Sequence, residues 1–149
     1  MGRVDGKVAI VTGGASGLGK ADARLLVAEG ARVMITDINV EAGEALAAEL
    51  GEAASFMRHD VREEEQWQSV LGETGRHFGK LDILVNNAGV VVLATPEETT
   101  LEQFRFANQV MSEGVFLGCK NAIPLMRKSG GGSIVNMSSV ATHLGYPIF

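Results

Sequence analysis

Hydrophobic positions in this chain come in short blocks that change character at regular intervals. Val8-Ala9-Ile10-Val11 is an unbroken apolar run ended by Gly13-Gly14, the pattern of a strand buried on both faces of a parallel sheet. Gly17 to Glu29 follows with good helix formers; Leu18, Ala21, Leu25, Leu26 and Ala28 are expected to form its apolar stripe, which Gly30 closes. Arg32 to Thr36 reads as a second strand with Asp37 at its end, and Asn39 is placed to cap a helix running to Leu50.

The alternation continues. Phe56-Met57 and their neighbours form a weaker third strand ending at Asp60, then a helix from about Glu63 to Phe78 turns Trp67, Val70 and Leu71 inward before Gly79 ends it. Leu81 to Val85 is a fourth buried strand running into Asn86-Asn87-Ala88-Gly89, and Ile134 to Met137 is a fifth after Gly130-Gly131-Gly132. Thr100 to Arg127 is helical, either one long helix or two joined near Gly114, with Pro124 expected to disturb the last turn. Strands alternating with helices imply right-handed crossovers. The expected fold is therefore an α/β, Rossmann-type doubly wound parallel sheet in the order 3-2-1-4-5, one domain over residues 1–149.

Composition narrows the partners. A formal net charge of -5 and 21% charged residues leave no basic footprint for nucleic acid and no patch for a membrane surface. The single cysteine, Cys119, requires no oxidising compartment, and the charged N-terminus gives no signal peptide, so a cytoplasmic location is expected. His59, His77 and His143 have no metal-ligand spacing, and Cys119 is expected to be buried and inert.

The chemistry concentrates in Thr12-Gly13-Gly14-Ala15-Ser16-Gly17-Leu18-Gly19, set between the first strand and the first helix. Backbone N–H groups and the positive helix end can receive a diphosphate there; Gly13 suits the turn, Gly17 close backbone approach and Gly19 tight packing. Gly14 to Lys20 also satisfies the first seven positions of a nucleoside-triphosphate loop, but Ala21 stands where a hydroxyl would hold magnesium, so a dinucleotide is favoured. Asp37, 18 positions beyond Gly19, suits an acid that bonds the ribose hydroxyls and repels a 2′-phosphate. Neither Ser16 nor Ile38 supplies a cation to neutralise such a phosphate, so NAD is expected over NADP.

With Asp60-Val61, Asn86-Asn87-Ala88-Gly89 and Ser138-Ser139 in the same order, the chain resembles the short-chain dehydrogenase/reductase family along its whole length. The resemblance implies hydride transfer between a nicotinamide and a small-molecule secondary alcohol or ketone, in a homo-oligomer of tetrameric type. It implies that Asp60 meets the adenine amino group, that the Val61 backbone seats the ring, and that Asn86 ties neighbouring strands. It further implies that Asn87, Ala88 and Gly89 border the cofactor and that Ser139 orients the substrate oxygen. The expected cofactor contacts are thus Gly13, Ala15, Ser16, Gly17, Leu18, Gly19, Asp37, Ile38, Asp60, Val61, Asn87, Ala88 and Gly89, with Ser139 catalytic and no metal.

Two departures from the family pattern stand out. The family's Tyr-x-x-x-Lys pair has no counterpart before Phe149, since Tyr146 lies in Gly-Tyr-Pro and reads as a loop residue. The 149 residues alone are accordingly expected to bind NAD but catalyse little, the parent being the enzyme and a non-catalytic binding fragment the alternative. The fifth strand is expected to leave Ile134, Val135 and Met137 uncovered. Met111 stands where the family has an asparagine that holds a water in its proton relay, so either Asn108, one helical turn earlier, substitutes or the relay is impaired, and Met111 itself is expected to be core packing.

Overall fold

The computed structural model describes residues 2–143, the side chain of Thr142 excepted. Among these, β1 (Val8–Thr12), β2 (Arg32–Asp37), β3 (Ala54–Arg58), β4 (Ile83–Asn86) and β5 (Ser133–Asn136) form one parallel sheet in the order β3-β2-β1-β4-β5. The connections carry α1 (Gly17–Ala28), α2 (Val40–Leu50), α3 (Glu64–Phe78), α4 (Leu101–Asn108) and α5 (Gly114–Lys128). This is the Rossmann-type doubly wound α/β fold in the expected strand order.

Why the middles of the central strands are apolar follows from their alternation. Val8, Ile10, Met34 and Leu84 meet Trp67, Val70, Leu71 and Phe78 of α3 and Ala122 and Met126 of α5. Their immediate neighbours Ala9, Val11, Val33, Ile35 and Val85 point the other way, onto Ala23 of α1 and Leu46 of α2. A two-residue period with both faces dry confines polar residues to the strand ends, where Thr12, Thr36 and Asn86 lie.

Helix ends follow local chemistry. The Asn39 side chain accepts from the Ala42 N–H at the start of α2, and Thr100 and Gln103 form a reciprocal capping box at the start of α4. Gly79 closes α3 in the left-handed conformation, at φ 83°.

The stripe expected on α1 is overturned. Leu18, Ala21, Leu25 and Ala28 are exposed, whereas Gly19 and Ala23 are the buried positions, with Leu26 and Val27 half-buried. Closeness decides the inward face here, since a Cβ at Gly19 would stand 2.4 Å from the Gly13 carbonyl oxygen. Only small residues let the helix start that near β1. Leu25 and Leu26 instead flank a groove of ≈ 360 Å³ with Val85, Val135 and Met137. On β5, Val135 and Met137 are exposed as expected, but Ile134 is partly buried against the α3–α5 side of the core.

The segment from Leu101 to Lys128 is helical throughout, with a π-helical stretch at Gln109–Glu113 immediately before Gly114. Pro124 lies inside α5 without ending it; the missing N–H removes one donor to the Lys120 carbonyl, and the helix continues for four residues.

Gly118 marks the tightest seat of α5 on the sheet. A Cβ there would come 2.5 Å from Asn86 Oδ1 and 2.8 Å from the Trp67 ring. Gly118→Ala is expected to destabilise the chain by about 1–3 kcal/mol, read from urea unfolding midpoints. An unchanged midpoint would show that α5 does not rest on this contact.

Candidate functional site

The loops after β1, β2, β3 and β4 leave the sheet at its carboxyl end, where they surround a cavity of ≈ 390 Å³. Gly13, Ser16, Gly17 and Leu18 line one side, Asp37 and Ile38 follow β2, His59 to Arg62 follow β3, and Asn87 to Val90 follow β4. Phe106 of α4 and Val110 of the π-helical stretch close the far wall. Eleven of the thirteen cofactor positions expected from sequence line this one cavity. The other two, Ala15 and Gly19, are buried behind its wall.

The glycine loop is held against the β4 loop by one threonine. The Thr12 hydroxyl accepts from the N–H groups of Asn87 (3.0 Å) and Ala88 (3.1 Å) and donates to the Val85 carbonyl at 3.3 Å. The Asn87 side-chain amide returns to the Thr12 and Gly13 carbonyls at 2.9 and 3.2 Å. The approach is close enough to exclude a side chain at position 13, where a Cβ would stand 2.9 Å from Ala88 Cα. Gly17 is different: it has φ 52°, and a Cβ there would meet nothing within 4 Å. The Ser16 side chain makes no cap to the first turn of α1, and that turn contains no acidic residue. Its first N–H groups thus receive no acceptor from a capping side chain, and Gly17 and Leu18 of that turn line the cavity.

Asp37 ends β2 and Asp60 lies two residues beyond β3, and the two are engaged differently. Asp37 accepts from two backbone amides, Ala15 N–H at 3.0 Å and Asn39 N–H at 2.9 Å, which ties the glycine loop to the end of β2. Asp60 is ion-paired: Arg62 Nη2 lies 2.6 Å from Oδ2 and Arg62 Nε 2.9 Å from Oδ1. The guanidinium holds the Asp60 carboxyl below the usual aspartate range. The Val61 carbonyl is fixed by Trp67 Nε1–H at 2.9 Å. The Asn86 amide donates to Asn136 Oδ1 at 2.9 Å and so joins β4 to β5, as expected.

His59 had no assigned role in the sequence and proves to be a wall residue. It is 2% exposed, its Nδ1 lies 3.1 Å from the Thr36 hydroxyl, and its ring stands edge-on to Trp67 with centroids 4.4 Å apart. Nε2 has no partner among the described residues. Burial pushes its pKa down to about 4, with partial opposition from Asp60, so the ring is neutral at pH 7. Thr12, Arg62, Val90, Phe106 and Val110 were likewise not assigned from sequence. Thr12 had a signal in its place before the first glycine, and Arg62 in its place two residues after Asp60.

Ser139 is exposed beyond β5 and does not line the cavity; its hydroxyl accepts from the Ala141 N–H at 3.2 Å. Met111 is 48% exposed in the π-helical stretch, which corrects the expected core packing: the wider turn aims Val110 inward and leaves position 111 outside. The Asn108 amide donates to the Phe104 carbonyl of its own helix at 3.0 Å. Cys119 is half-buried, 3.8 Å from the Asn86 amide nitrogen. Tyr146 lies outside the described residues. Among the described residues no group of side chains is arranged to hold a metal, and no helix is long and apolar enough to cross a membrane.

Comparison with known proteins gives a consistent result. A family model described as short chain dehydrogenase matches residues 7–149. A 3-beta-hydroxysteroid dehydrogenase of Comamonas testosteroni is 48% identical over 142 residues, covering 95% of this chain and 56% of that protein. A 3-alpha-(or 20-beta)-hydroxysteroid dehydrogenase of Mycobacterium tuberculosis is 43% identical over 139 residues, 93% of this chain and 54% of that protein. An NADP-dependent (R)-specific alcohol dehydrogenase of Lentilactobacillus kefiri is 41% identical over 148 residues, 97% of this chain and 59% of that protein. The chain spans a little over half the length of these relatives.

The buried His59 ring makes stability depend on pH. Its folded pKa of about 4 lies below the unfolded value of 6.5, so the unfolded chain takes up the proton first as pH falls. Folding should therefore lose stability from pH 6.5 downward, by about 3 kcal/mol at pH 4 from this group. His59→Phe is expected to remove that part of the slope in urea midpoints measured between pH 7 and pH 4. Parallel losses in both proteins would mean that the ring is charged in the fold.

Proposed function

The chain belongs to the short-chain dehydrogenase family, and on that premise we propose that it carries the cofactor-binding part of an NAD(H)-dependent oxidoreductase acting on a secondary alcohol or ketone. The observation that supports this best is the convergence of the glycine loop, Asp37 and the Asn87–Gly89 loop on one cavity. An adenine dinucleotide, when bound, supplies the nicotinamide that accepts or releases the hydride.

The residues present fit such a group. The open N–H groups at the mouth of α1 and the bare Gly17 backbone receive the diphosphate. Asp37, fixed by two amides, presents its remaining lone pairs to the ribose hydroxyls at the adenosine end. Asp60 and Val61 border the purine, and Asn87, Ala88 and Gly89 border the nicotinamide ribose. Ser139 positions the substrate oxygen, its own oxygen held at the start of the turn by the Ala141 N–H.

NAD is preferred over NADP because the Asp37 carboxylate stands where a 2′-phosphate would come, and the cavity's cation, Arg62, is already paired with Asp60. One relative carries NADP dependence in its name, so the distinction rests on Asp37 and not on family membership. The parent protein is proposed to be cytoplasmic and homo-oligomeric, in keeping with the unpaired Cys119 and the exposed Phe104, Phe116 and Ile123 on α4 and α5.

Asp37→Ala tests the assignment. Calorimetric titration is expected to show the NAD-to-NADP affinity ratio falling roughly tenfold or more, equivalent to about 1.4 kcal/mol, as a ribose contact and a repulsion are lost together. The same ratio in both proteins would refute the role given to Asp37.

A further inference from the structure

Between β3 and α3 the chain passes through successive peptides that are held at the start of the helix. The Asp60 N–H donates to Gln66 Oε1 at 2.8 Å, the Asp60 carbonyl accepts from the Glu63 N–H at 3.1 Å, and the Val61 carbonyl accepts from Trp67 Nε1–H at 2.9 Å. Gln66 and Trp67 are consecutive residues in the first turn of α3. The indole is clamped: Trp67 is fully buried, His59 stands edge-on to it, and a Cβ at Gly118 of α5 would come 2.8 Å from its ring. Apolar side chains fill such a place without a polar atom, whereas a buried indole brings an N–H that has to find an acceptor, and here it finds Val61.

What this grip leaves on the other side follows from peptide geometry. A trans peptide is planar with its C=O and N–H on opposite edges, and among the described residues no peptide bond is cis. The Val61 carbonyl turned to Trp67 therefore turns the Arg62 N–H the other way, where it meets Asp60 Oδ1 at 3.1 Å. The Asp60 carbonyl turned to Glu63 likewise turns the Val61 N–H away, and that N–H has no acceptor among the described residues. The Asp60 carboxylate, with about four acceptor sites, receives the Arg62 backbone N–H, Nε and Nη2, which leaves capacity for a further donor. Asp60 and Val61 both line the cavity. An acceptor and a donor thus stand on consecutive residues in an arrangement set by α3, and adenine carries the complementary pair along one edge, an amino group beside a ring nitrogen.

We propose that Gln66 and Trp67 are positioning residues that, by fixing the peptides on either side of Asp60 and Val61, aim the Asp60 carboxylate and the Val61 N–H together at the edge of the base and so set the preference for adenine. This rests on the dinucleotide reading of the cavity. Neither side chain touches the ligand; each acts through the backbone that it holds.

Trp67 is the only tryptophan of the chain, so growth on β-(3-benzothienyl)alanine replaces it alone, keeping the bicyclic shape with sulfur in place of the N–H. Gln66→Met, at a half-buried position, keeps the length of the side chain without a strong acceptor and decides the matter if the tryptophan replacement does not fold. Both proteins and the unmodified chain are titrated calorimetrically with NAD and with nicotinamide hypoxanthine dinucleotide, which has an oxygen in place of the amino group, and folding is followed by circular dichroism. The unmodified chain is expected to prefer NAD by roughly tenfold or more. Each change is expected to cut that preference by about fivefold, chiefly through weaker NAD binding, as for the loss of one hydrogen bond. A side chain that only supported the fold would weaken both ligands together and leave their ratio alone. An unchanged ratio in a folded variant would therefore overturn the role given to that residue, and no preference in the unmodified chain would overturn the proposal as a whole. Failure of the unmodified chain to bind either dinucleotide would instead sink the dinucleotide reading, and this inference with it.

Discussion

The site depends on how closely β1 and β4 deliver their loops to one another, and the Thr12 hydroxyl sets that distance. One oxygen, 1% exposed as a residue, takes two successive amides of the β4 loop while Asn87 reaches back to the carbonyls of Thr12 and Gly13. Leaving either amide unpaired in this setting would cost about 1–3 kcal/mol, which favours keeping the two loops at this distance. The small residues follow from it. Position 13 has no room beside Ala88, and position 19 has none beside Gly13 and Asn87, so the start of α1 is brought down onto the sheet.

The sheet was legible because its strands are buried on both faces, and a run such as Val8 to Val11 leaves few other interpretations at that length and composition. The loop residues were legible because steric need is written in glycines. What was not legible depended on distance between elements. The α1 stripe was misassigned because counting large side chains identifies a wet face when helix and strand are too close for any large residue, as at Gly19 and Ala23. The third strand was expected to run to Asp60 but ends at Arg58, and the resemblance that singled out Asp60 said nothing of its pairing with Arg62. His59 carried no signal at all, since its place in the wall exists only once Thr36 and Trp67 have closed around it.

Two aspartates, one ending β2 and one two residues beyond β3, give the cavity an uneven charge. Asp37 is satisfied by dipoles alone, two backbone N–H groups. Asp60 is satisfied by a cation, and the pair is neutral overall. On the proposed dinucleotide reading, an additional phosphate would meet the Asp37 carboxylate on the β2 side, whereas the β3 side presents a paired, neutral Asp60–Arg62. Residue type is the same at both places; the difference lies in whether the next two positions supply an amide, as at Asn39, or a guanidinium, as at Arg62.

The far wall shows how one helix serves core and cavity together. Phe106, Val110, Gly114, Gly118, Ala122 and Met126 recur at every fourth position; the first two line the cavity, and the other four are buried. In an ideal α-helix a four-residue step overshoots a full turn by about 40°, so this series would wind about 200° around the axis and carry Phe106 away from the side that Met126 occupies. The π-helical stretch at Gln109–Glu113 takes more residues per turn and returns part of that drift, just where the series passes from cavity to core. Gly114 can then sit against Val61, where a Cβ would stand 2.9 Å from Cγ2, while Val110 still reaches the cavity. The same turn puts Met111 on the outer side, so the exchange at the family's asparagine position alters a surface that the cavity does not use.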